Sequence, residues 1–157
     1  MAHSPEADIM PFSDLAADCW RKGGDGWEEV DRLEREEPES LPVLIRALAT
    51  SAPDGALSYI GVQILEDLAE LAEEEGRDDT AIDVLIAAQL TPADTFEILA
   101  GPYPHYLDRW GVRERFSSTF TPSQLDALLD WGGRSGRRLV MEGAGFRLTD
   151  ESTWFNL

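Results

Sequence analysis

Carboxylates dominate the chemistry this chain can offer. Glu66, Glu70, Glu73 and Glu74 fall at i, i+4, i+7 and i+8, so a helix carries all four on one face, with Asp67 and Glu75 beside them. Like charges four residues apart cost a helix about 0.2–0.5 kcal/mol per pair. A face that bears this cost suits a basic protein partner, and these six residues form the candidate partner-binding set. The ordinary alternative is a solvated face opposite the apolar stripe of Leu65, Leu68 and Ala72. Glu66-Asp67 also raises a second chemistry, since paired carboxylates hold Mg²⁺ or trade protons. Neighbouring helical residues point about 100° apart, so they converge on an ion only with help from another helix. No Glu-x-x-His pair accompanies them, as bundle metal sites would want. Neither a metal nor a cofactor is therefore expected, and no catalytic residue is assigned.

Other reactive residues are sparse. His105 stands in Pro104-His105-Tyr106 with Asp108 close behind, an arrangement a general base could use. No nucleophile elbow completes it, and the only other histidine is His3, so a packing or surface role is the plainer reading. Cys19 is the single cysteine, which excludes an internal disulfide and fits a reducing cytoplasm. It falls on an apolar stripe and reads as an inert buried thiol. Gly132-Gly133-Arg134-Ser135-Gly136-Arg137-Arg138 has the amides and arginines of an anion loop. It lacks a P-loop ending and follows a helix, so it reads better as a helix stop whose arginines pair with acids of the body.

These residues need elements to position them. Ser13 is placed as the cap of a first helix through Leu15, Ala16, Cys19 and Trp20, ended by Gly23, Gly24 and Gly26. A second helix covers about 26–36, with Trp27, Val30 and Leu33 inward, and Pro38 breaks it. A third runs from Glu39 or Ser40 to Ser51. A fourth, capped by Asp54, carries the acidic face and ends at Gly76, with Gly61 inside it as a kink or a close helix contact. A fifth starts at Asp79 or Thr80. Thr91-Pro92 and Thr121-Pro122 are strong starts, a capping Thr followed by Pro at the first helical position. Single turns are expected over 105–109 and 113–116. Arg138 to Glu142 and Phe146 to Thr149 flank Gly143-Ala144-Gly145 and read as a hairpin. The fold class is therefore mainly α: one multi-helix bundle or helical-repeat-like array of about seven helices, with a small C-terminal β-hairpin. Residues 1–12 form a tail, 13–133 the helical domain and 134–157 an extension packed on it. Trp154-Phe155 closes the chain as an apolar anchor.

Charge sets the partners. Thirteen Lys and Arg stand against 31 Asp and Glu, a formal net charge of −18 on 157 residues. Residues 1–79 hold 21 of the acids and 6 of the bases, so the excess lies in the first half. Such a field repels nucleic acid and anionic membrane and attracts basic proteins. With 43% hydrophobic residues the chain still folds. No apolar run nears the roughly 20 residues that span a bilayer, and the N-terminus has no leader pattern, so a cytoplasmic protein is expected. Lys22 is the only lysine, a bias that fits a GC-rich bacterial coding sequence.

Tyr59-Ile60-Gly61-Val62-Gln63-Ile64-Leu65-Glu66-Asp67-Leu68 resembles a motif of an uncharacterised family of small acidic bacterial helical proteins. There a Tyr/Ile-Gly segment precedes Leu-Glu-Asp-Leu. A Trp-bearing helix and a Pro-ended helix lie upstream, as Trp27 and Pro38 supply, and an acidic turn follows, as Glu73-Glu74-Glu75-Gly76 does. The likeness spans about residues 15–112. Val62-Gln63-Ile64 stands where the family has a small Gly/Pro-containing segment. The resemblance implies a helical fold and carries no activity. On charge and patterning the expected function is an acidic protein-binding module, an immunity or inhibitor protein that neutralises a basic bacterial toxin or enzyme. The other readings are a nucleic-acid (polyanion) mimic that blocks a DNA/RNA-binding protein, and an enzyme using a carboxylate cluster.

Overall fold

The computed structural model describes residues 10–21, 24–131 and 137–150. Nine helices occupy the described residues ahead of one hairpin: α1 Ser13–Trp20, α2 Gly26–Glu36, α3 Leu41–Ser51, α4 over 57–75, α5 Ala81–Ala87, α6 Pro92–Leu99, α7 Pro104–Arg109, α8 Val112–Arg115 and α9 Pro122–Trp131. Strands β1 Arg137–Glu142 and β2 Gly145–Asp150 pair antiparallel, Glu142 opposite Gly145. This is the mainly α fold with a small hairpin that the patterning predicts.

Two glycines act through contact rather than freedom. Gly26 opens α2, where the second helix is expected to start, rather than closing α1. A Cβ there would meet the backbone N of Cys19 at 2.6 Å, so the hydrogen lets α2 press on α1. Gly61 opens a π turn, Gly61–Leu65, between the α pieces Leu57–Ile60 and Glu66–Glu75. A Cβ there would sit 2.2 Å from the Ile98 carbonyl, so α4 crosses α6 where only glycine fits. The π turn itself has no sequence signature. Ser13 lies inside α1, because a 3₁₀ turn over Met10–Phe12 leads straight into the helix. Asp54 caps nothing, since α4 starts at Leu57; it pairs with Arg138 instead.

The local signals fare better. Thr91 Oγ1 accepts from Asp94 N, as a capping Thr should. Thr121 and Gln124 form a reciprocal capping box: Gln124 N donates to Thr121 Oγ1 and Thr121 N to Gln124 Oε1. Gln124 is buried, and its Nε2 also donates to the carbonyls of Gly143 and Gly145, which fastens the hairpin turn to α9. Gly76 ends α4 in the left-handed conformation at φ 64°.

One core runs from Ala16 to Leu139. Two hydrogen bonds and three ring contacts tie its first half: Trp20 Nε1 donates to Leu48 O, Trp27 Nε1 to Cys19 O, and the rings of Trp20, Trp27 and Tyr59 meet edge-on or tilted 5.2–6.4 Å apart. Thus α1, α2, α3 and α4 are locked together by their aromatic residues. Among the described residues no helix is long and apolar enough to cross a membrane. The first nine residues of the tail, the Gly132–Gly136 part of the arginine loop, and Trp154-Phe155 lie outside the described residues.

Candidate functional site

The six acids of the partner-binding set do not share one environment. Glu70, Glu73, Glu74 and Glu75 are exposed, whereas Glu66 and Asp67 are half-buried. Glu66 turns toward the loop before α7, where its Oε2 accepts the Tyr103 backbone N–H at 3.1 Å. Burial pushes its carboxyl up, the Tyr103 N–H opposing it and Glu70 adding to it. Glu73 lies 3.7 Å from Arg109 of α7, whose other nitrogen is 3.6 Å from Asp79. Glu75 pairs with Arg77 at 3.1 Å.

Helix α7 lays an aromatic ladder along this acidic face. Tyr103 is 59% exposed. It stacks on exposed His105, centroids 6.1 Å apart, His105 meets Tyr106 at 4.3 Å, and Tyr106 stacks on Trp110 at 5.5 Å. Trp110 Nε1 donates to Asp79, which fixes the inner end. Burial pushes the Tyr106 phenol up, and the charges of Glu70 and Glu66 add to it, so the ring lies within the field of the acid face. His105 thus sits among aromatics at the surface, as expected. The ladder follows from Pro104 at the first helical position, which starts α7 so that 103, 106 and 110 line one side. The sequence pattern predicts only a loop and a single turn here, and nothing in it marks this stretch as adjoining α4.

Asp67 takes the opposite side. Its carboxylate and those of Asp31 and Glu34 on α2 each bring an oxygen within 4.8 Å of the other two. The second helix that Glu66-Asp67 lacked in sequence is α2, and it reaches Asp67 alone. Glu34 is only 1% exposed and stands in the core beside Val30 and Leu33. Burial pushes its carboxyl up to about 9, with the Asp67 charge and an Asp67 hydrogen bond adding to it. The neutral Glu34 carboxyl donates its proton to Asp67, whose own pKa burial raises and this bond lowers. No protein group hydrogen-bonds Glu34 Oε1, the one buried side-chain oxygen so placed among the described residues. Arg35 Nε approaches Asp31 at 3.4 Å, a contact at the long limit of a hydrogen bond. A signal for Glu34 existed: it follows Trp27 and Val30 at i+7 and i+4, on the inward stripe of α2.

The remaining candidates are structural. Cys19 is buried, and desolvation with Asp18 beside it pushes the thiol up to about 12, so it is no nucleophile near neutrality. Arg138 bonds Glu97 at 2.7 Å and Asp54 at 3.2 Å, binding the hairpin to the helical body rather than an anion. Compared with protein-family models, curated proteins and solved structures, the chain matches none of them.

Proposed function

We propose that this chain is an acidic protein-binding module of the immunity or inhibitor type, which neutralises a basic bacterial toxin or enzyme in the cytoplasm. The observation that supports the reading is that exposed Glu70 and Glu73, on the row that Glu74 continues, put their charge on Tyr106 of the Tyr103–His105–Tyr106 ladder. Carboxylates attract arginine and lysine at range, and aromatic faces hold the same cations at contact. Tyrosine at the centre of an interface is a frequent source of binding energy. A surface that merely copied phosphates would need the charge and not the rings. The net charge of −18 supplies steering, and it argues against nucleic acid or membrane as the direct partner. A free, buried cysteine is compatible with the cytoplasm. The resemblance around Tyr59–Leu68 carries no activity, so the proposal rests on surface chemistry.

Affinity capture from bacterial lysate with the full chain as bait tests this. A basic protein should be retained at low salt and lost as the screening length shrinks from about 10 Å at 0.1 M to about 3 Å at 1 M. With that partner purified, reversal of Glu70, Glu73 and Glu74 to Lys should slow association about tenfold or more at low salt. Tyr103→Ala should speed dissociation instead. Capture of a neutral or acidic protein, or an association rate indifferent to the triple reversal, would leave α4 with a merely solvated face.

A further inference from the structure

We propose that Asp31, Glu34 and Asp67 form a site for one hard divalent cation of the size of Ca²⁺, bridging α2 and α4. Three observations lead there. The oxygens of the three carboxyls lie within 4.8 Å of one another. Two oxygens on opposite sides of Ca²⁺ stand about 4.6–5.2 Å apart, while across Mg²⁺ they stand about 4.0–4.2 Å apart. The trans span is the greatest separation two ligands of one ion can have, and the 4.8 Å limit falls inside that of Ca²⁺ but beyond that of Mg²⁺, so the three carboxyls can share one Ca²⁺ as they stand.

The second observation is Glu34 itself. A carboxyl 1% exposed, aimed at two further carboxyls, with an oxygen no protein group hydrogen-bonds, is an unfinished arrangement. Buried polar groups are ordinarily satisfied, and an orphaned oxygen is destabilising. A cation bound here displaces the Glu34 proton to solvent, satisfies that oxygen and cancels the repulsion among the three carboxylates at once. Hard oxygens with no sulfur or imidazole among them select calcium-like ions over zinc or copper.

The third observation is access. Asp31 and Asp67 are only partly buried, and half of the Asp31 side chain is open to solvent. Water can complete a coordination shell from that side, as such ions require, while Glu34 closes it from the core. The ion would tie α2 to the stretch of α4 just past the π turn, behind the acidic face rather than on it. The inference does not depend on the proposed partner.

Calorimetric titration of the full chain, stripped with EDTA and held in 0.15 M KCl, tests the site with Ca²⁺ and Mg²⁺ in turn. One saturable Ca²⁺ site is expected, tighter than for Mg²⁺. Glu34→Gln, nearly the same shape, should weaken it at least about tenfold, and Asp31→Asn at the solvent side should weaken it as well. Glu74→Gln should leave it unchanged. Circular dichroism confirms that each variant is folded, and if Glu34→Gln is not, Asp31→Asn alone decides. Weak unsaturable uptake shared equally by all variants would overturn the proposal, as would tighter binding of Mg²⁺.

Discussion

Glu66 and Asp67 follow one another on α4, yet they meet opposite surroundings. Glu66 leans toward α7, takes a backbone N–H and borders an open acidic and aromatic surface. Asp67 leans toward α2 and shares a proton with a carboxyl in the core. Helical geometry makes the split, since one residue is a turn of about 100°. What each acid can do follows from the neighbouring helix it meets: α7 brings rings and Arg109, α2 brings two more acids. Identity and spacing of acids along one helix therefore say little until both neighbours are placed.

The largest effects should separate the core of α4 from its outer row. Leu65 is fully buried, and Leu65→Ala should cost about 2–5 kcal/mol in unfolding free energy by urea denaturation. Glu74→Ala should stay within about 0.5 kcal/mol of the parent. A Glu74→Ala cost near that of Leu65→Ala would mean that the outer row holds the fold, and its availability to a partner would fall with it.

The legibility of the sequence divides along the same line. Thr91, Thr121, Gly76 and the hairpin were readable because caps and turns are decided by residues within a few positions of each other. The boundaries of α2 were readable because an apolar stripe and Pro38 bracket it. Gly61 was readable as a close contact, but not the carbonyl it approaches, which comes from Ile98 on another helix. The acidic row was readable by periodicity. The aromatic ladder beside it and the Glu34 cluster were not, because each joins helices distant in sequence: 66 with 103, 34 with 67. Glu34 also breaks the pattern it sits in, and an acid on an inward stripe is read most readily as outward.

Next in size is the pH response of the buried carboxyl. Asp67, Asp31 and Arg35 are the charged groups that face Glu34, and in sum they and its burial hold its proton. The folded pKa of about 9 lies above the ordinary 4.5, so between these values the folded chain keeps a proton that the unfolded chain releases. Stability must then fall as pH rises through that window. In EDTA, the parent should lose more unfolding free energy between pH 5 and pH 8 than Glu34→Gln, which has no proton to release. Parallel pH profiles for the two proteins would show that Glu34 ionises in place, and the contrast between Asp67 and Glu66 would shrink to one of exposure.

The smallest effect should come from Glu66, and it sharpens the contrast from the other side. Its carboxylate accepts one backbone N–H from Tyr103, a residue well exposed to water. Removing the acceptor lets water take the N–H, so Glu66→Ala should cost only about 0.5–1.5 kcal/mol. Glu66→Gln retains an oxygen for the same bond. It also removes a charge that partial burial and Glu70 already disfavour, so its cost should be under about 0.5 kcal/mol. Urea midpoints with an unchanged m-value measure both. Should Glu66→Gln prove as costly as Glu66→Ala, the charge itself would be anchoring the Tyr103 loop, and Glu66 would belong with Asp67 among the acids that hold the fold together.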